Sequence, residues 1–246
     1  MILASGQTKP KQGDIESNLI DHYKMIDLAS KNNVDLIVFP EMSITGYERE
    51  KARNLAFTKT DSRLDKLRQL SVDKKMILIV GAPVLINDKL YIGAFVLKPD
   101  HSISIYTKQH LHSGEEKFFD SSFDNNPLIN LKNEKISIAI CADIVNPKHA
   151  DNANKNGSTL YIASIFFTPN GIADAHKTLS DYSKQYSMNV LMANYCGQSW
   201  GLDSGGQSAF WDNNGNLIAN LDKTDSGLLI VENANNKWIG ITLNYE

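Results

Sequence analysis

The chain has 246 residues, of which 42% are hydrophobic, and 25 basic against 28 acidic side chains leave a net charge of -3. That length and apolar content predict one large α/β domain over 1–246, since no Pro/Gly/Ser-rich linker, charge block or solenoid-period repeat divides it. With a pI near 6.1 there is no basic stripe to follow a phosphate backbone, which argues against nucleic acid as a partner. The first residues, Met1 to Gln7, form too brief an apolar run for a signal peptide, and no run approaches membrane-spanning length. The expected location is therefore the cytoplasm, without a membrane partner. Two cysteines make no disulfide framework there and are expected as thiols.

Along the chain, short β-branched runs alternate with helical patterns, the signature of an α/β fold with buried strands. A strand over 1–7 is followed by a helix from Ile15 to Asn32, whose Ile15, Leu19, Tyr23 and Ile26 share a face and whose N-cap is Asp14. Further strands are expected at 34–39, 76–82, 90–97, 102–107, 136–141, 159–164 and 189–194, with helices at 61–73, 146–155 and 174–187. The polar and aromatic stretch from Lys108 to Pro127 reads as a long loop, of a length that usually serves function or motion. Near the end, Gln207–Trp211 and Asn216–Leu221 flank Asp212-Asn213-Asn214-Gly215, a hairpin whose Asn-Gly supplies the positive φ of the turn.

Three reactive side chains end strands. Glu41 follows the run Val34–Pro40, Lys108 follows Ile103–Thr107, and Cys141 follows Ile136–Ile140. In open α/β sheets the strand ends are where loops converge on ligands. A thiol needs a nearby base or positive charge to take its proton or lower its pKa, and Glu41 and Lys108 could supply one each. Attack on an amide carbon creates an oxyanion, for which the Lys108 ammonium and the N–H of Ala142 are the expected donors. The same carboxylate would protonate the leaving amine and then deprotonate water, with Glu115 orienting it or the lysine. Each residue also has a plain structural explanation: a buried small hydrophobe for the thiol, a cap for the carboxylate, a solvated ammonium for the lysine. Cys196 is left with that packing role.

Other chemistries find little support. His110-Leu111-His112 alternates two imidazoles, too few for a structural zinc site, and no C-x-x-C accompanies them, so no metal or cofactor is expected. His22, His101, His149 and His176 lie on polar segments and are expected at the surface. A serine hydrolase would need a G-x-S-x-G turn, which is missing.

The segments Val38-Phe39-Pro40-Glu41-Met42-Ser43-Ile44-Thr45-Gly46-Tyr47, Tyr106-Thr107-Lys108-Gln109-His110-Leu111 and Ile138-Ala139-Ile140-Cys141-Ala142-Asp143, in this order, resemble the carbon-nitrogen hydrolase (nitrilase) superfamily. Its members use a Glu-Lys-Cys triad. Similarity extends to Gly13-Asp14-Ile15, Gly114-Glu115-Glu116, Ala193-Asn194 and Gly205-Gly206-Gln207-Ser208. The resemblance implies a four-layer α-β-β-α sandwich of two sheets, a homodimer or higher homo-oligomer, and an assisting glutamate on the lysine loop. Alignment of Gly114-Glu115 points to Glu115, with Glu116 adjacent.

Ala142-Asp143 after the cysteine is more similar to the amidase-type branches than to true nitrilases, which carry Trp-Glu there. The arginine-rich stretch of many carbamoylases and ω-amidases is replaced by Ile144-Val145-Asn146-Pro147-Lys148-His149, so no carboxylate-binding arginine carries over. No synthetase or acyltransferase region is seen before Glu246, which argues against a glutaminase half of an NAD synthetase. The expected activity is thiol-dependent hydrolysis of a small amide or carbamoyl compound, with Tyr47, Phe166 and Phe167 as pocket walls. The rivals are acyl transfer to an amine and a non-catalytic binding protein on the same fold.

Overall fold

The computed structural model describes residues 1–235 and 237–245. From the amino terminus run β1 (Ile2–Gln7), α1 (Ile15–Lys31), β2 (Leu36–Val38), the short α2 (Ala52–Leu55), α3 (Asp65–Lys74), β3 (Ile77–Ile86), β4 (Lys89–Leu97) and β5 (Ile103–Thr107). Then follow β6 (Ile129–Leu131), β7 (Glu134–Ile140), α4 (Pro147–Lys155), β8 (Leu160–Ser164), α5 (Ile172–Tyr186) and β9 (Asn189–Ala193). The last third adds β10 (Gln198–Ser199), β11 (Leu202–Asp203), β12 (Ala209–Trp211), β13 (Leu217–Asn220), β14 (Gly227–Ala234) and β15 (Lys237–Asn244).

Local chemistry sets the helix limits. The Asp14 carboxylate accepts from Ser17 N at 3.0 Å and starts α1, while Asn146 accepts from Lys148 N at 3.1 Å and Pro147 opens α4. Helix α1 buries Leu19, Met25, Ile26 and Ala29 on one face and stops at Asn32.

Two sheets result. Seven strands run β15-β14-β1-β2-β3-β4-β5, and six run β13-β12-β9-β8-β7-β6. Each has a parallel centre, β1 with β2 and β3 in one and β7 with β8 and β9 in the other, flanked by antiparallel strands. Because β4 is antiparallel to both β3 and β5, β5 points the same way as β2. One apolar cluster, with Leu3, Val38, Ile79, Ile138 and Ile162, lies between the sheets. A second, with Ile26, Leu67, Leu78 and Phe95, joins the seven-stranded sheet to α1 and α3. On the outer side of the other sheet, α5 sets Leu179 and Tyr182 inward. The layers are thus helix, sheet, sheet, helix, the four-layer α-β-β-α arrangement expected from the family resemblance.

Two features depart from the expectation. The hairpin β14–β15 was not foreseen: β14 pairs with β1 over six residues, adding an edge to the first sheet. Two of the histidines placed at the surface are instead buried, His22 at 1% and His149 at 4% exposure. His22 stacks on Phe39 and bonds the Asn18 carbonyl and the Ser43 hydroxyl, and His149 bonds the hydroxyls of Tyr106 and Tyr161. Partners inside the fold compensate the imidazoles for lost water. Among the described residues, no helix is long and apolar enough to cross a membrane.

Candidate active site

Glu41 sits in the turn after β2, where the chain passes close to β3. A Cβ on Gly81 would lie 2.4 Å from Met42 N and 2.6 Å from Pro40 O, so only glycine lets the strand approach. The turn is pinned from several sides. Ser43 bonds His22 Nε2 at 2.9 Å and accepts from Gly81 N at 3.2 Å, and Asn18 Nδ2 donates to Ile44 O at 3.0 Å. From the opposing sheet, Ser164 donates to Phe39 O at 2.8 Å and the Tyr195 hydroxyl donates to Glu41 O. Burial pushes the His22 pKa down to about 4, so the imidazole that holds this turn is neutral.

The lysine and the cysteine are joined through Asp143. Its Oδ1 accepts from Gln109 N at 3.0 Å and His110 N at 2.8 Å, just past Lys108. Its Oδ2 accepts from Ile140 N at 2.9 Å and from the Tyr106 hydroxyl at 2.7 Å, just before Cys141 and Lys108. One fully buried carboxylate therefore ties two strand ends from different sheets. Cys141 itself takes φ +44°, a left-handed conformation costly for a residue with a Cβ, and opens a 3-10 turn over Cys141–Val145. Its Sγ lies 3.5 Å from Phe166 O. The leading N–H groups of such a turn, including that of Ala142, have no partner within it.

Glu41, Lys108 and Glu115 are all fully buried and in contact. Lys108 Nζ donates to Glu41 Oε1 at 2.7 Å and to Glu115 at 2.9 Å. Glu115 also accepts from the Tyr47 hydroxyl at 2.5 Å and from His112 N at 2.8 Å, so both its oxygens are engaged. Glu116 faces solvent and accepts from Gly114 N, which assigns the buried contact to Glu115 rather than its neighbour. Glu41 Oε2, by contrast, is buried with no hydrogen-bond partner among the described residues, and the Cys141 thiol is close enough to act on the Glu41 carboxyl.

The electrostatics follow from burial together with one cation serving two carboxylates. Burial, reinforced by the Glu115 charge and only partly offset by Lys108, pushes the Glu41 pKa up to about 7. Burial pushes the Cys141 thiol well up, and the Glu41 charge adds to this against the pull of Lys108. For Lys108, burial acts downward, but Glu41, Cys141 and Glu115 outweigh it and hold the group as ammonium. A resting thiol beside a carboxylate poised near neutrality is a pair that can pass one proton internally.

A cavity of about 390 Å³ opens over these groups. Glu41, Glu115, Cys141, Ala142, Tyr47, Phe166 and Phe167, all singled out in the sequence, line it. Lys108 lies behind them, fully buried. The structure adds Arg49, His112, Val145, Thr168, Gly171 and Leu202 to the walls. Arg49 stands two residues beyond Tyr47, in a segment without the periodicity that would have marked it. Cys196 lies elsewhere, its Sγ 3.8 Å from the Ser226 hydroxyl. His110 packs against Phe123 and His149. Among the described residues no group of three or more His, Cys, Asp or Glu side chains is placed to hold a metal ion.

Known proteins match this chain closely in fold. The carbon-nitrogen hydrolase profile matches residues 2–238. The glutamine-dependent NAD(+) synthetase of Acinetobacter baylyi is 26% identical over 87% of this chain, which spans 41% of that protein's length. A Pseudomonas protegens protein described as a hydrolase in the pqqF 5' region is 25% identical over 94% of this chain and 81% of its own. An amidase from Nesterenkonia sp. AN1 superposes with a TM-score of 0.84 at 21% identity, covering 94% of this chain and 89% of that one. That structure is of a variant carrying the acetamide moiety of fluoroacetamide added covalently at the active-site cysteine. With a family match over almost its whole length and the same fold, this chain belongs to the carbon-nitrogen hydrolase family.

Proposed function

We propose that the protein hydrolyses a small amide through a Cys141 thioester. The reading rests on one observation above all: Glu41 and Lys108 are in direct contact beside the Cys141 thiol, at the floor of a cavity. In the first step Glu41 takes the thiol proton as Sγ bonds the amide carbon, and the carbonyl oxygen becomes an oxyanion held by Lys108 Nζ and the Ala142 N–H. Protonated Glu41 then gives its proton to the leaving nitrogen as the C–N bond breaks, releasing ammonia or an amine. Glu41, ionised again, deprotonates a water that attacks the thioester, and the proton returns to sulfur as the acid leaves. Glu115, clamped by Tyr47 and His112, fixes the lysine and keeps the local charge negative enough to raise Glu41. Tyr47, Phe166 and Phe167 exclude water from the oxyanion and wall the acyl group.

The names of the relatives add one specific substrate to consider, the side-chain amide of glutamine. The test is ammonia release across aliphatic amides, dicarboxylic monoamides, glutamine, ureido acids and nitriles, for wild type and Cys141→Ala. Release from an amide that vanishes in Cys141→Ala supports the reading; full turnover by Cys141→Ala overturns it. Hydroxamate formed in place of acid when hydroxylamine is added separates transfer from hydrolysis. Sedimentation of the purified chain tests the further expectation of a homodimer or larger homo-oligomer.

A further inference from the structure

Arg49 is 8% exposed and lines the same cavity as Cys141, yet among the described residues its guanidinium forms no ion pair or hydrogen bond. Its Nε is fully enclosed without a partner. Its charge reaches the exposed Glu50 and Glu116, whose carboxyls it helps to lower, but neither closes an ion pair with it, and a buried guanidinium with unbonded N–H donors calls for a partner. What holds the side chain in place is aromatic. The guanidinium carbon lies 3.6 Å from the centroid of the Trp200 ring and 5.2 Å from that of Tyr47. Stacking occupies the faces of the planar group and leaves the terminal N–H donors at its edge to meet an acceptor.

The neighbouring acids direct their hydrogen bonds elsewhere. Glu50 accepts from Trp200 Nε1 at 3.2 Å, Glu116 from Gly114 N at 2.7 Å, and both are exposed. Glu48 accepts from Gln12 Nε2 at 2.8 Å, and Glu115 is taken by Lys108 and Tyr47. Gly114 permits the close approach, since a Cβ there would lie 3.2 Å from an Arg49 terminal nitrogen at φ +90°. The Tyr47 ring stands between the cation and the reacting groups, with its hydroxyl on Glu115. The cavity therefore offers a nucleophile in one part and an unpaired planar cation in another.

We propose that Arg49 binds a carboxylate at the far end of the substrate, so that the amide cleaved at Cys141 belongs to a dicarboxylic monoamide. This rests on the amidase reading above. A fork of N–H donors matches a carboxylate bidentately, and the apolar walls of Phe166, Phe167 and Leu202 strengthen that pairing by excluding water. A neutral amide of the same length would leave the cation unpaired, and discrimination of this kind is large because it is set by an unsatisfied buried group.

The test compares kcat/KM for succinamate, glutaramate and adipamate with the chain-matched neutral amides, in wild type, Arg49→Gln and Arg49→Lys. Wild type is expected to prefer at least one anionic substrate over its neutral partner by about tenfold or more, the ratio collapsing in Arg49→Gln and partly surviving in Arg49→Lys. An unchanged ratio in Arg49→Gln, with both substrates losing equally, would assign the residue to packing and overturn the proposal. Titration of glutarate into Cys141→Ala by calorimetry, with and without Arg49→Gln, separates the two claims. Binding lost with the arginine, in a protein that hydrolyses no amide, would sink the amidase reading and keep the anion site. Turnover of neutral amides with no glutarate binding would do the reverse.

Discussion

The pH profile of turnover should carry the charge count of the site. Lys108 contributes one positive charge against the two carboxylates it touches, at 2.7 and 2.9 Å, in a region closed to water. Burial raises the Glu41 carboxyl, the single cation only partly offsets this and the Glu115 charge adds to it, so Glu41 gains its proton near pH 7 instead of near 4.5. As a general base it works only when ionised, so kcat/KM should rise with pH through about 7 and fall as pH is lowered. At about pH 5 a group of pKa about 7 is only about 1% ionised, which predicts a loss of about 100-fold relative to the alkaline plateau. A carboxylate at its ordinary value would be mostly ionised at that pH and would lose almost nothing. The assay is ammonia release under subsaturating substrate from about pH 5 to 9, with enzyme integrity checked by a return to pH 8. Glu41→Gln should lower the plateau by about 10²- to 10⁴-fold and abolish the acid limb. A wild-type profile flat between about pH 5 and 7 would refute the assignment of Glu41 as the base.

Lys108→Ala should leave Glu41 and Glu115 to repel one another, moving the acid limb to higher pH and lowering kcat/KM by about 10²-fold or more, read from the same profiles. Asp143→Asn puts an amide N–H₂ where four donors now converge, and should cost about 3 kcal/mol in urea unfolding while slowing turnover. Gly81→Ala should force the Glu41 turn off β3, destabilising by about 1–3 kcal/mol and slowing Cys141 alkylation, because the new Cβ meets backbone that cannot give way. Cys196→Ser, remote from the cavity, should change turnover by less than about twofold in the ammonia assay.

Much of the frame could be read in the chain because its signals are local. Apolar runs of five to seven residues marked β2, β5 and β7, and the reactive residue after each was visible as the point where the run stops. Pairings distant in sequence were not visible in this way. Strand β14 finds its partner in β1, more than two hundred residues earlier, and periodicity says nothing of such a match. Buried histidines misled for a related reason. Asp21 and Tyr23 flank His22 with surface character, yet Asn18 and His22 are one turn apart on the side of α1 that meets the Glu41 turn. Asp143 was legible only as the residue after Ala142; its four donors come from segments that the fold alone brings together. Arg49 lies in an irregular segment where no period points a side chain inward.

Whether Glu41 and Lys108 make Cys141 a working nucleophile is tested, without knowledge of the substrate, by limiting alkylation with iodoacetamide at neutral pH, mapped by peptide mass spectrometry. Rapid modification of Cys141 over Cys196, slowed at least about tenfold in Glu41→Gln and in Lys108→Ala, is the predicted result. Equal slow labelling of both thiols, or labelling of Cys141 that neither substitution alters, would contradict it.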